Sequence, residues 1–275
     1  IFGDEMVLQR NQNIKIWGWS KEGVKVSINF LGDQYNTITD NNGKWLIEMN
    51  DYPAGGPFSL KVKSSKQEVY LKNIYVGDVW LCSGQSNMHM KMKSVKENYP
   101  EEFNLIENKN IRFIEVPSQL NFNKSEQDIK NSNWSSLNSK SIYKFSAAAY
   151  FFAKDLQPKL NIPIGLIISS VGGSPVESWM SEKSALKYKT VAKRLKEAKQ
   201  EGFLENLEKK YKENRKNWFL EAEEKLINND IFYQPKSFDH TYKYKWFPFH
   251  KHTGVYWFKK EFYLDEISLA DTRLY

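Results

Sequence analysis

Hydrophobic and polar residues alternate along much of residues 1–74. Alternation with a period of two predicts strands at 14–19, 24–30, 44–49 and 58–64, because successive side chains of a strand point to opposite faces. Short strands of this kind are typical of a small antiparallel β-sandwich.

One connection between these strands carries a turn sequence. Residues 40–43 read Asp-Asn-Asn-Gly. Asn and Gly tolerate the positive φ angles of tight turns, so we expect a hairpin turn at this point.

A different pattern follows. Residues 75–82 are nearly all apolar, as in a strand that is buried on both faces. Residues 146–157 have helical spacing, with Ser146 as the N-cap and Pro158 near the end. Residues 162–174 form a second apolar run that ends in small residues. A strand, a helix and a strand in this order predict a parallel α/β sheet, in which ligands bind beyond the carboxyl ends of the strands.

The last part of the chain is first helical and then β-like. From 182 to 229 charged residues surround apolar ones at helical spacing, and Gly202 is expected to interrupt this segment. Alternation returns after Pro235 and is clearest at 254–264.

The composition narrows the range of functions. The net charge is +7 and the pI about 9.1, but the lysines of residues 187–225 are interspersed with glutamates. This mixture indicates a solvated helix face, and no nucleic-acid recognition motif is found. Aromatic residues make up 15% of the chain, which suits either a sugar-binding surface or an aromatic β-sandwich core. The single cysteine excludes a disulfide framework, and no apolar run approaches the roughly 18–20 residues of a membrane span.

The stretch WLCSGQSNM at 80–88 carries candidate chemistry. Gly84 permits a sharp turn after the strand, and such a turn can expose Ser86 at the rim of the sheet. A serine becomes a nucleophile when a base takes its proton and the site stabilises the oxyanion. Gly172 and Gly173, at the end of the next strand, allow backbone amides to approach a substrate oxygen closely. From the residues alone, most serines after strands are caps or turn formers, and the two glycines also fit a tight strand-to-helix turn, so these interpretations remain open.

Several blocks of the chain resemble one family. GDVWLCSGQSNM (77–88) resembles the nucleophile block of the sialate O-acetylesterases, which belong to the SGNH hydrolase superfamily. FGDEMVLQR (2–10) is similar to the family's opening strand, and 145–179 is similar to its second block. Residues 235–264 are similar to a β-galactosidase-like jelly-roll segment that many members carry. The blocks occur in the expected order and cover nearly the whole chain.

The resemblance implies hydrolysis of an acetyl ester on a sugar through an acyl-serine intermediate, with no metal or cofactor. It implies that Ser86 is the nucleophile and that the amides of Ser86 and of Gly172 or Gly173 form the oxyanion hole. The residues that would hold the turns or line the substrate pocket are Gln85, Asn87, Glu177 and Trp179.

The resemblance also implies the domain organisation and an α/β fold class. The expected parts are an N-terminal β-sandwich domain (1–74), the first part of an SGNH-like three-layer α/β/α domain (75–181), a helical segment (182–234) and the start of a jelly-roll insertion (235–275).

The chain departs from the family pattern in the motifs that would supply the general base. The later Trp-Tyr-Gln-Gly-Glu-like block and the Asp-x-x-His block, which supplies the catalytic His, are not found. The four histidines are His89, His240, His250 and His252. His89 lies three residues after Ser86, where the family usually has Glu, and we expect all four to be structural or surface residues. We therefore expect an N-terminal fragment of a longer enzyme, with little activity by itself.

Other functions remain open at this point. The motifs do not identify the sugar, so an acetyl xylan or other hemicellulose esterase is an alternative to an esterase of O-acetylated sialic acid. The missing base and the aromatic-rich β segments favour a non-catalytic glycan-binding protein, and a β-galactosidase-like glycosidase rests on 235–264 alone. The expected partner is an O-acetylated sugar, with no nucleic acid and no membrane. The expected location, inferred from the class of enzyme, is periplasmic or secreted.

Overall fold

The computed structural model describes residues 1–65, 67–104 and 107–227. The strands are β1 (Val7–Gln9), β2 (Ile14–Trp19), β3 (Lys25–Phe30), β4 (Asp33–Ile38), β5 (Lys44–Met49), β6 (Gly55–Ser64), β7 (Gln67–Gly84), β8 (Asn108–Glu115), β9 (Ser135–Leu137) and β10 (Ile164–Ser170). The α-helices are α1 (Ser86–His89), α2 (Ala147–Leu160), α3 (Glu182–Ala185), α4 (Lys189–Ala198) and α5 (Phe203–Ile227).

The first part of the chain forms two sheets, as the alternation predicted. Strands β2 and β5 pair antiparallel in a two-stranded sheet, while β4, β3, β6 and β7 follow one another in a larger one. The two sheets contribute side chains to one buried cluster, in which Ile16, Ile28 and Ile47 are almost fully enclosed. The predicted sandwich arrangement of this region is therefore confirmed.

The turn at 40–43 forms, but it does not make a hairpin. The Asp40 carboxylate accepts hydrogen bonds from the amides of Asn42 and Lys44, and Gly43 has a φ of 71°. The strands on either side pair elsewhere, β4 with β3 and β5 with β2. The hairpin prediction was wrong because a turn sequence specifies a reversal of the chain and not the partner of each strand.

Strand β7 passes through both parts of the molecule. It pairs antiparallel with β6 along its first half, then parallel with β1, and from Asp78 to Gly84 parallel with β10. The expected domain boundary between residues 74 and 75 thus lies within one strand. Residues 1–199 form one compact unit and a second begins at Gln200, while the four expected parts and their three boundaries stay predictions.

The second part confirms the α/β class. Strands β7, β10 and β8 are parallel neighbours, and the short β9 pairs antiparallel with β8. Helix α2 begins after Ser146, whose hydroxyl accepts a hydrogen bond from the Ala149 amide, as the sequence predicted. The small side chains of Ala149 and Ala153 let α2 pack closely over one face of this sheet.

The end of β7 is less buried than predicted. Trp80 makes an edge contact with Phe152 of α2 and is 42% exposed, while Leu81, on the opposite face, is 69% exposed. Among the residues that the structure describes, this half of β7 pairs only with β10. An unbroken apolar run therefore did not mean burial on both faces.

A buried arginine joins β8 to the first part of the chain. Arg112 is fully enclosed and donates hydrogen bonds to the backbone carbonyls of Glu5 (2.9 Å), Asn73 (2.5 Å) and Lys109 (2.8 Å). Its guanidinium lies 3.8 Å from the centre of the Tyr75 ring. We call Arg112 and these partners the joint. Strand β8 was not predicted, because a charged residue interrupts its apolar positions.

The segment after residue 181 is helical, as predicted. Helices α3 and α4 belong to the first compact unit, and α5 belongs to the second. Gly202, with a φ of 72°, separates α4 from α5 and confirms the predicted interruption. None of the described helices is both long and apolar enough to span a membrane. The expected jelly-roll segment at 235–264 lies outside the described residues.

Candidate active site

Two strand ends meet at one edge of the sheet. In the parallel pair of β7 and β10, Gly84 is the partner of Ser170, so the two strands end side by side. The amide of Val171 donates to the carbonyl of Gly84 at 3.1 Å and extends this pairing by one bond. The turns that follow, which carry the candidate residues, therefore begin next to each other. We call this edge the rim.

The first turn exposes a serine. Gly84 has a φ of 150°, which a residue with a side chain rarely adopts, and the chain reverses here into the four-residue helix α1. Ser86 is exposed, and its hydroxyl donates to the side-chain oxygen of Gln85 at 3.2 Å. Asn87 is also exposed, and its side chain makes no hydrogen bond within the described residues.

The second turn is held by a short chain of hydrogen bonds. Gly173 has a φ of 75°, as a tight left-handed turn requires. The indole of Trp179 donates to the Ser174 hydroxyl at 3.0 Å, which donates to the Val171 carbonyl at 2.7 Å. Glu177 is half-buried in the single helical turn that ends at Trp179. Trp179 is thus attached to the glycine turn.

The structure brings the two turns into contact. A methyl group built on Gly172 would lie 3.9 Å from the Cα of Ser86 and 3.9 Å from the Cδ2 of His89. The backbone amides of Ser86, Gly172 and Gly173 donate to no atom of the described residues. Free amides beside an exposed hydroxyl can receive the negative oxygen that forms when an acyl group is attacked.

Within the described part of the chain, the Ser86 hydroxyl makes no hydrogen bond to a general base. The hydroxyl of Ser86 bonds only to the amide side chain of Gln85, which is not a base. The Nδ1 of His89 lies 3.1 Å from the carbonyl oxygen of Ser170 and is therefore engaged elsewhere. His240, His250 and His252 lie outside the described residues.

The nearby thiol is not a rival nucleophile. Cys82 is buried two residues before Gly84, and burial raises the pKa of its thiol to about 11. The thiol is therefore protonated at neutral pH, whereas the thiolate is the reactive form. Among the residues that the structure describes, no group of three or more His, Cys, Asp or Glu side chains could hold a metal ion.

Sequence reasoning missed two parts of the rim. Glu115, at the end of β8, forms an ion pair of 2.6 Å with Lys91 and places charge at the same edge. It was missed because β8 itself was not predicted. Ser174 was not singled out, although a hydroxyl at a turn often bonds to the backbone nearby, as it does here.

The comparisons with known proteins point to one class of enzyme. Residues 76–210 match the family described as "Carbohydrate esterase, sialic acid-specific acetylesterase". Human sialate O-acetylesterase is 29% identical over an alignment that covers 66% of this chain and 38% of the human protein. The orangutan (Pongo abelii) sialate O-acetylesterase is 28% identical, with the same coverage.

A solved structure is also similar. The crystal structure of a carbohydrate acetylesterase from Xanthomonas citri superposes with a TM-score of 0.64 at 30% identity. The match covers 68% of this chain and 42% of that protein. The chain therefore spans about two-fifths of the length of these relatives.

Proposed function

Residues 76–210 belong to the carbohydrate esterase family of sialic acid-specific acetylesterases, and from this premise we propose that the protein hydrolyses acetyl esters on sugars with Ser86 as its nucleophile. The proposed substrate is an O-acetylated sialic acid, the compound class in the family's description. The proposed location is periplasmic or secreted, the usual place of enzymes that remove groups from external glycans.

One observation carries the proposal. The exposed Ser86 lies next to the glycine turn, since a methyl group built on Gly172 would be 3.9 Å from its Cα, and the backbone amides of Ser86, Gly172 and Gly173 have no acceptor in the described residues. Attack by the Ser86 oxygen on the acetyl carbonyl forms a carbon–oxygen bond and a negatively charged oxygen. Preorganised amides at this place lower the energy of that oxyanion. The sugar then leaves as its free hydroxyl, and water releases acetate from the acetyl-serine.

The remaining candidate residues have supporting roles in this proposal. Gln85 accepts the Ser86 hydrogen bond and so orients the hydroxyl, while Asn87 faces solvent beside it. Trp179 is attached to the second turn and offers a 42% exposed aromatic face, against which a sugar ring can pack. Glu177, half-buried on the same turn, holds that loop.

We propose that none of the four histidines of residues 1–275 is the general base. The support is that His89, the sole histidine of the described residues, has its Nδ1 engaged with the Ser170 carbonyl. A serine hydroxyl needs a base to become a strong nucleophile. The chain of residues 1–275 alone is then expected to hydrolyse esters slowly, and rapid turnover by it would contradict this part of the proposal.

The test compares two serines of the same segment. In the full-length protein, Ser86→Ala is expected to lower kcat by about 10³-fold or more, because removal of a triad nucleophile has effects of this size. Ser83→Ala, a change at another exposed serine near the end of β7, is expected to leave kcat within about 2-fold. Full activity of Ser86→Ala would overturn the proposal.

Assays of the same full-length protein distinguish two alternative functions, a hemicellulose esterase and a non-catalytic glycan-binding protein. Initial rates on O-acetylated sialic acid and on acetylated xylan identify the sugar, since the motifs specify only the acetyl chemistry. A non-catalytic glycan-binding protein would bind sugar equally well with and without Ser86 and would hydrolyse neither ester.

A further inference from the structure

His89 connects the nucleophile's helix to the neighbouring strand. Helix α1 has only four residues, and its last side chain reaches the Ser170 carbonyl of β10. Within residues 1–65, 67–104 and 107–227, no other side chain of α1 bonds to β10. On its other side α1 is held to α2, where Met90 accepts a hydrogen bond from the Ala147 amide at 2.8 Å. His89 therefore adds a side-chain attachment of α1 to β10 beyond the backbone pairing that ends at Gly84.

The partner of His89 fixes the tautomer of the ring. A carbonyl oxygen can only accept a hydrogen bond, so the Nδ1 of His89 must carry the hydrogen that it donates to Ser170. In the neutral ring the Nε2 is then an acceptor. A backbone carbonyl that binds one ring nitrogen also fixes the orientation of the whole ring.

The same ring touches the second turn. Its Cδ2 lies 3.9 Å from a methyl group built on Gly172, and that methyl group would lie at the same distance from the Cα of Ser86. One edge of the ring therefore lies near the glycine turn, and the other edge is hydrogen-bonded to Ser170, the last residue of the strand that leads into this turn.

We infer that His89 is a positioning residue, which holds Ser86 in register with the amides of Gly172 and Gly173. The inference rests on the proposed function, because the register matters only if these groups act on one acyl carbon. An error of about 1 Å in such a geometry costs about 10²-fold in rate. Without the Nδ1 hydrogen bond, α1 loses its only side-chain attachment to β10 among the described residues.

Two substitutions separate anchoring from other roles of the ring. In His89→Asn, the side-chain nitrogen is the same number of bonds from Cβ as Nδ1, so the hydrogen bond to Ser170 is retained while Nε2 is lost. In His89→Ala, both are lost. His89 is exposed, so both variants are expected to fold, and thermal unfolding checks this.

The experiment measures hydrolysis of an acetylated sugar by the full-length protein, with Ser86→Ala as reference. His89→Ala is expected to lower kcat by about 10–100-fold with KM within about 3-fold, because the lost interaction acts in the transition state. His89→Asn is expected to stay within about 3-fold of the wild type. A second readout, ¹⁵N NMR of the His89 ring, is expected to show hydrogen on Nδ1.

The possible outcomes distinguish failure of the positioning role of His89 from failure of the proposed esterase function. If the wild type is active and Ser86→Ala is not, the proposed function stands. The inference is then overturned if His89→Ala is as active as the wild type, if His89→Asn is as impaired as His89→Ala, or if hydrogen is on Nε2. If the wild type itself is inactive and Ser86 is not labelled by an organophosphonate, the proposed function has failed and the positioning role fails with it.

Discussion

The joint around Arg112 and the rim around Ser86 differ in whether their polar groups have hydrogen-bond partners. At the joint, a fully enclosed guanidinium donates to three backbone carbonyls from different segments. At the rim, the amides of Ser86, Gly172 and Gly173 donate to nothing in the described structure, and the Ser86 side chain is exposed. Buried polar groups destabilise a fold unless they are paired, whereas free groups at the surface are available to a ligand.

This contrast separates residues that stabilise the fold from residues that act. A substitution at the joint should change the free energy of unfolding, because it leaves carbonyls without donors. A substitution at the rim should change turnover with little effect on unfolding. Three substitutions test the contrast further.

The largest expected effect is at the joint. Arg112→Ala removes hydrogen-bond donors to three backbone carbonyls and leaves a cavity in the place of a fully buried side chain, so the free energy of unfolding should fall by about 3–5 kcal/mol. Urea unfolding followed by circular dichroism measures it. Arg10→Ala is the control, because Arg10 forms a partly exposed ion pair of 2.7 Å with Asp78 and should cost only about 1 kcal/mol. Equal losses of unfolding free energy in the two variants would show that the joint stabilises the fold no more than a surface ion pair does.

A smaller effect is expected from the glycine turn. Gly172→Ala fits without close contact, but its methyl group lies 3.9 Å from the Cα of Ser86, where substrate must approach. We expect kcat/KM to fall by about 10-fold or more with unfolding unchanged, because the free amides become less accessible. Gly173→Ala is the matched variant. Its φ of 75° is strained for Ala, so it should cost about 1 kcal/mol of stability.

Enzyme assays and urea unfolding on the same two preparations measure both effects. A Gly172→Ala variant with wild-type kcat/KM would contradict the role of this turn in binding the acyl group.

The smallest effect concerns a second paired group in the interior. Glu102 accepts hydrogen bonds of 2.5 Å from Tyr150 and from Lys154. Burial raises the pKa of Glu102, but these hydrogen bonds and the charge of Lys154 outweigh it, so the pKa lies below its ordinary 4.5. The carboxylate therefore stabilises the fold above pH 4.5, and this stabilisation is lost as the pH falls through the lowered pKa.

Glu102→Gln should lower stability at neutral pH by about 1 kcal/mol and reduce the further loss on acidification. Urea midpoints at neutral pH and near pH 3 measure this, with the exposed neighbour Glu101→Gln as control. An unchanged pH dependence in Glu102→Gln would show that Glu102 does not contribute to acid sensitivity.

The sequence predicted the strands and helices that depend on local periodicity and capping. Strands such as β2 and β5, and helix α2 with its Ser146 cap, follow from periodicity and capping chemistry. The meeting of the two turns followed from parallel strand order, which aligns carboxyl ends at one edge. Identification of the serine as a nucleophile came from the family resemblance.

What the sequence could not provide depends on contacts between distant segments. Strand β8 was missed because its central Arg112 is buried by partners that no local pattern reveals. The exposure of Leu81 depends on which strands and helices cover β7. The contact between His89 and the Ser170 carbonyl joins residues far apart in the chain, and it gave a residue first interpreted as structural a specific place beside the nucleophile.

The most direct test of the central claim is to treat the full-length protein with an organophosphonate and to locate the adduct by peptide mass spectrometry. The reagent reacts with an activated serine, so the account predicts one adduct, on Ser86, and none in Ser86→Ala. An adduct on another residue, or none while the protein hydrolyses acetylated sugars, would contradict the claim that Ser86 is the nucleophile.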